Sequence, residues 1–194
     1  MELCDFAHAS AVKSVRLTSR RFRHSSRYSH PDRRDPCCVG PGPLWDMGVH
    51  LLDLLDFVLP FRVVSAVGKH RTVGLPFPLF NVSTFQAEVE SLATPVSRFP
   101  LHIEINDAAP GRPRFELEIT TERGRYLWAN GRLVRGPLHH LLLDLRPKGY
   151  PVRDKDVLLA VAHALHSIPD PRLATLDSAV RVTENLVKLH PPPA

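Results

Sequence analysis

Asp46-Met-Gly-Val-His50-Leu-Leu-Asp53 sets two carboxylates and an imidazole at positions i, i+4 and i+7 of a strongly apolar stretch. In an α-helix of about 3.6 residues per turn these three side chains share one stripe. An imidazole titrates near neutral pH and can take or give a proton, and a carboxylate one turn away can raise its basicity or hydrogen-bond a neighbouring hydroxyl. A solvated helix face ordinarily carries Lys, Glu and Gln, whereas this stripe carries only groups suited to proton transfer or hydrogen bonding. Asp46, His50 and Asp53 are therefore the candidate site, with His50 as its acid/base. Two blander readings compete. A lone histidine on an apolar helix is often a satisfied core group, and Asp46 stands where a helix N-terminus favours a carboxylate. The Asp four residues before His50 and the lead-in Gly40-Pro-Gly-Pro weigh toward a site.

The helix that carries the stripe spans Leu44 to Leu59, with Leu44, Met47, Leu51, Leu54, Leu55 and Val58 on one apolar stripe and Trp45, Val49 and Leu52 on the far side. Pro60 stops it. A strand from Ser14 to Arg23 and a polar loop from His24 to Pro43 come before it. Strands at Arg62 to Val73, Val82 to Leu92, Arg98 to Asn106 and Pro113 to Thr121 follow. In the last of these, Phe115, Leu117 and Ile119 alternate with Arg114, Glu116, Glu118 and Thr120, the pattern of a sheet with one face on a core. Gly124 and Asn130-Gly131 supply the turns of a hairpin, Tyr126 to Trp128 and Arg132 to Val134. Helices at Asp154 to Ser167 and Leu176 to Leu189 close the chain, the second with Thr175 as N-cap and Pro191 to Pro193 beyond its end. This order predicts an α+β fold, an open and mostly antiparallel β-sheet with helices packed on one face.

The chain has 194 residues, 43% hydrophobic and 23% charged, which suits one cored domain. The expected organisation is a lead-in segment at 1–13, a domain at 14–190 and a proline-rich tail at 191–194. Met1-Glu-Leu-Cys-Asp lacks a basic start followed by an apolar core, and no run is long enough for a bilayer, so a cytoplasmic protein without membrane contact is expected. Cys37 and Cys38 are adjacent and Cys4 is remote, a spacing that gives neither a disulfide framework nor a zinc motif. His139-His140 and His163/His166 lack a nearby third ligand and read as solvated or core histidines, so no metal site is expected. Of the net charge of +5, much sits in Arg16, Arg20, Arg21, Arg23, Arg27, Arg33 and Arg34. With no base-stacking motif beside it, that cluster reads as a solvated strand edge and loop and not as a nucleic-acid surface. Neither Gly-x-Gly-x-x-Gly after a strand nor Gly-x-x-x-x-Gly-Lys-Ser/Thr is present, and nucleotide binding by these residues alone is unsupported.

Taken in order, the elements resemble the C-terminal domain of the glucose-fructose oxidoreductase, inositol dehydrogenase and rhizopine-catabolism (Gfo/Idh/MocA) family. Val12-Lys-Ser-Val-Arg-Leu-Thr-Ser is similar to the family's first strand after its dinucleotide-binding domain, and Asp32-Arg-Arg-Asp-Pro36 to the loop before its signature helix. Gly40-Pro-Gly-Pro-Leu-Trp-Asp-Met-Gly-Val-His-Leu-Leu-Asp53 matches its Asp-x-Gly-x-His-x-x-Asp pattern. Phe115 to Leu127 resembles its strand-turn-strand element, and Asp177 to Glu184 its closing helix. The resemblance implies an NAD- or NADP-dependent oxidoreductase of a sugar, cyclitol or similar polyol. By position, His50 becomes the general acid/base or hydroxyl-orienting group and Asp46 a ligand of substrate hydroxyls, while Asp53, at the inner end of the stripe, supports His50 or caps a neighbouring loop. It also implies a homo-oligomer paired through the open sheet face. The family's Glu-Lys-Pro element has no counterpart, since Lys13, Lys69, Lys148, Lys155 and Lys188 are the only lysines. Alone, this substrate-binding and oligomerisation domain is expected to be inactive and to bind no cofactor, needing a separate Rossmann-domain subunit. The alternative is a non-catalytic module on the same fold that binds a protein or nucleic acid.

Overall fold

The computed structural model describes residues 11–20, 44–73, 80–92, 96–110, 114–122, 124–129, 132–135, 142–143 and 175–189. The strands are β1 (Val12–Arg20), β2 (Phe61–Val73), β3 (Phe80–Ser91), β4 (Arg98–Asn106), β5 (Arg114–Thr121), β6 (Gly124–Ala129), β7 (Arg132–Arg135) and β8 (Leu142–Leu143). A π-helical turn at Leu44–Gly48 runs into helix α1 (Val49–Val58), and helix α2 (Leu176–Leu189) closes the described chain. The strands form one sheet in the order β2-β3-β4-β1-β5-β6-β7-β8. Every pairing is antiparallel except β1 with β4. The expected α+β class, with an open and mostly antiparallel sheet, is the observed one. The expected helix at Asp154 to Ser167, the turn at Asn130-Gly131, the early cysteines and the paired histidines lie outside the described residues.

Alternation along the strands divides the sheet into two faces. Val15, Leu17, Phe85, Val89, Phe99, Leu101, Ile103, Leu117 and Ile119 are buried on the helix side, where Leu51, Leu52, Leu54, Leu55 and Val58 of α1 and Val182, Leu186 and Leu189 of α2 meet them. Leu52, expected on the far side of the helix, is fully buried, because α1 is covered by both sheet and α2. The expected solvated edge at Arg16 and Arg20 is also corrected: β1 lies fourth in the sheet with strands on both sides. Both arginines instead project from the helix-free face onto Glu104, at 3.6 and 3.3 Å.

That helix-free face is a lattice of paired charges. Arg62 and Arg98 flank Glu90, Arg125 meets Glu118, and Arg114 meets Glu116. Hydrogen bonding from Arg62, with Arg98 helping, holds the Glu90 carboxyl below its ordinary value. His102 is central to this face, with Gln86 of β3 on one side and Arg16 of β1 on the other. Burial, then the Arg16 charge, lower its pKa from the ordinary 6.5, and Glu104 opposes them.

Two contacts fasten α2. Asp56, only 2% exposed, projects from α1 and accepts hydrogen bonds from Ser178 Oγ (2.6 Å), Arg181 Nε (3.0 Å) and Arg181 Nη2 (2.9 Å). The same hydrogen bond raises the pKa of Arg181. Further along α2, Asn185 accepts from Val63 N at 2.8 Å and donates to Phe61 O at 3.1 Å, while Lys188 Nζ donates to Val63 O at 3.0 Å. The helix thus satisfies the edge-facing backbone groups at the start of β2, which would otherwise be open to pairing. Thr175 caps α2 as expected, its Oγ1 accepting from Ser178 N at 3.1 Å. At the turn into β6, Gly124 has φ 138°, the conformation its sequence position predicts.

Two outcomes follow from these contacts. Arg181→Met leaves the Asp56 carboxylate buried with only Ser178, and chemical denaturation should show a loss of about 3–5 kcal/mol. Asp56→Ala should cost less, because Arg181 retains 29% of its side-chain exposure and can turn to water. The lowered pKa of His102 means that the folded state binds fewer protons there than the unfolded chain. Its contribution is present above pH 6.5 and is lost as pH falls through the lower folded value. NMR titration of the His102 ring should give a midpoint below 6.5, and His102→Gln should remove this part of the acid sensitivity.

Candidate functional site

The helix that carries the motif is not uniform. A π turn is wound one residue wider than an α turn, and it occupies Leu44–Gly48, with regular α geometry only from Val49. Gly48 explains why the motif needs a glycine. A Cβ there would stand 2.6 Å from Leu44 Cδ1 and 3.6 Å from Ile105 Cδ1. Leu44 is fully buried, so any shift of its side chain has to displace packed neighbours. The missing side chain lets the turn close on Leu44 and settle over the end of β4.

Asp46 lies within this π turn, so its backbone relation to His50 departs from the i, i+4 geometry of an α-helix. The disposition of its side chain lies outside the described residues. His50 falls in the first turn of α1 and is exposed, which removes the reading of a core histidine. Asp53 is half-buried one turn later and is engaged in an interaction. Position thus separates the three: His50 faces solvent, Asp53 sits partly inside, and the two do not form an isolated polar pair. Among the described residues, no group of three or more His, Cys, Asp and Glu is placed to hold a metal ion. No described helix is long and apolar enough to cross a membrane.

The sheet beneath the π turn changes character at that end. Register aligns Gly68, Phe85, Ile103, Leu17, Leu117 and Trp128 in one row of the helix-side face. The next row toward the end of the sheet reads His70, Ser83, Ile105, Ser19 and Phe115. An apolar core therefore gives way to hydroxyls and an imidazole on both sides of Ile105, the residue under Gly48. Both parallel strands, β1 and β4, reach their C-terminal ends at this row. Sequence reasoning found His50 and missed this row, because His70 and Ser83 lie in strands whose pairing no spacing along the chain reveals. Asp56 was missed as well, although a carboxylate on the apolar side of α1 and an Arg in α2 are both visible in the sequence. Trp128 is buried edge-on against Phe115 with ring centroids 6.0 Å apart.

The GFO/IDH/MocA C-terminal domain matches residues 9–127. The chain belongs to the Gfo/Idh/MocA oxidoreductase family. Its solved relatives in fold include GenD2 from gentamicin A biosynthesis in complex with NAD, at 18% identity and a TM-score of 0.55 over 96% of this chain and 55% of that one. Others are an oxidoreductase described from Magnetospirillum magnetotacticum (15%, TM-score 0.61, 95% and 56%) and one from Thermotoga maritima (18%, TM-score 0.57, 97% and 54%). At these identities the likeness is one of fold. The chain spans about half the length of these solved structures. No curated protein matches it.

A Gfo/Idh/MocA domain closed by this motif depends on its glycine. Gly48→Ala gains helix propensity worth about 1 kcal/mol, yet overlap with Leu44 should outweigh it and give a net loss of about 1–3 kcal/mol. Urea unfolding of the variant checks the sign, and an unchanged or raised midpoint would show that Leu44 yields.

Proposed function

We propose that these residues form the substrate-side wall of an NAD(P)-dependent oxidoreductase acting on a sugar, cyclitol or similar polyol. The observation that carries this reading is the exposure of His50 at the start of α1, where the motif helix meets the polar end of the sheet. Oxidation of a carbinol requires loss of the hydroxyl proton, and an exposed imidazole can accept it. His50 takes that proton or orients the hydroxyl, Asp46 accepts a hydrogen bond from an adjacent hydroxyl, and Asp53 supports the first turn from within.

The residues of this chain do not themselves fit a dinucleotide. Among the described residues no glycine-rich turn leads from a strand into a helix, and the sequence has no Gly-x-Gly-x-x-Gly. Nicotinamide, and a lysine in a Glu-Lys-Pro context, belong to a Rossmann domain that these residues would serve. The chain alone is inactive in this reading. The helix-free face of the sheet is the surface for assembly with a second copy in this reading, since many of its charges are already paired within the sheet, as in Arg16–Glu104, Arg62–Glu90 and Arg125–Glu118.

Mixing the chain with a family Rossmann domain and following nicotinamide reduction over a polyol panel tests the main reading. Activity should need both parts and fall at least 100-fold in His50→Ala, the range over which a positioned general acid/base acts. Activity that survives the substitution would sink the acid/base role. Light scattering should report a dimer or larger species, and a clean monomer at high concentration would remove the assembly role.

A further inference from the structure

The helix-free face of the sheet is unevenly finished. Across its middle strands the carboxylates are met by guanidiniums of the same chain, as in Arg16 and Arg20 on Glu104 and Arg125 on Glu118. Toward the β2 edge this pairing stops. Lys69 and Arg71 of β2 and Glu88 of β3 are exposed on this face, in alternation with the buried Phe85, Ala87 and Val89 of the other. Among the described residues none of these three makes an ion pair. Register explains why the opposite charges stay apart. Ser65 pairs with Glu88, Val67 with Gln86 and Lys69 with Thr84. Lys69 and Glu88 thus stand on neighbouring strands, roughly 13 Å apart along the strand direction. Midway between them Val67 is 68% exposed.

A free cation and a free anion on opposite sides of one exposed apolar residue make a self-complementary patch. A two-fold axis lying in the plane of the face and passing over the paired Val67 and Gln86 carries Lys69 of one copy onto Glu88 of the other, and Glu88 onto Lys69. The offset of one strand, about 4.8 Å, tilts that axis by about 20° from the perpendicular to the strands. The two sheets then cross at about 40°, near the roughly 30° at which stacked sheets align. Val67 meets its own copy on the axis and leaves water. A phosphate backbone is a poorer occupant, because Glu88 stands beside the free cations and Glu90 and Glu104 lie on the strands behind it. We propose that the chain assembles through this face as a two-fold dimer whose register is set by Lys69 and Glu88 paired across the axis around Val67. This inference rests on the reading of the helix-free face as the assembly surface and adds the residues that fix its geometry.

Charge reversal in the full chain, followed by sedimentation equilibrium, tests the pairing. The parent should be a dimer. Lys69→Glu sets two carboxylates against each other at both symmetric positions, and Glu88→Lys does the same with two ammonium groups. Each should weaken dimerisation at least about tenfold at low salt, and by less at high salt. The double variant Lys69→Glu/Glu88→Lys brings opposite charges together again and should return the dissociation constant to within about threefold of the parent. Rescue of this kind does not arise from damage to the fold, and both single variants should keep the circular dichroism spectrum of the parent. A parent dimer indifferent to both single reversals, or one broken by them and not restored in the double variant, overturns this inference and leaves the assembly reading in place. A parent that stays monomeric at high concentration, or that associates only with added DNA duplex, overturns that reading and this inference with it.

Discussion

The carboxylate of Asp56 is the interaction on which the rest of the arrangement depends. It is buried on the apolar side of α1 and meets three donors from α2, two on the Arg181 guanidinium and one hydroxyl. A buried charge of this kind adds little net stability compared with a well-packed apolar residue, but it is costly to mispair. It therefore selects one register of α2 on α1. Once that register is set, Asn185 and Lys188 fall opposite the free edge of β2, and the C-terminal end of α2 arrives over Gly68. The placement of α2 against α1 and β2 follows from this one contact.

A second constraint acts from below. Packing against the sheet pins α1 along its length, with Leu51, Leu54, Leu55 and Val58 all buried, so the helix cannot slide to relieve crowding at its start. The start adapts instead. The π turn and Gly48 take up the mismatch, bringing the first turn close to Ile105 and leaving His50 outside the packed region. A residue of chemical use is exposed there because the apolar residues around it are fully committed elsewhere.

Most of the fold was legible in the sequence, for local reasons. The strict alternation of Phe115, Leu117 and Ile119, the cap Thr175 at the start of the closing helix, and Gly124 at a turn each report short-range geometry, and each is found where expected. The position of β1 was not legible. Its arginines suggested an edge, but whether a strand is central depends on which distant strands flank it, and here a parallel partner, β4, arrives after three intervening elements. The site divides along the same line. His50 lies in a linear motif and could be found; the π turn, the buried clasp at Asp56 and the His70–Ser83 pair depend on tertiary neighbours that spacing does not encode.

The two faces of the sheet solve opposite problems with the same alternation. On the helix-free face, Glu104, with 15% of its side chain exposed, lies beneath Arg16 and Arg20, so the acids sit low and the guanidiniums cover them. Along its centre that face is polar with its charges paired, which lowers the cost of bringing it against water or a second polar face. The helix-side face is apolar across its centre and turns polar at the row where Ser19, Ser83 and His70 appear together. Ligands of open sheets gather at the carboxyl ends of parallel strands, because helices and loops diverge there and leave room. In this chain the single parallel pair, β1 and β4, ends at that row. The topology that hid β1 from sequence reasoning is thus the feature that places a chemically useful edge beneath the signature helix.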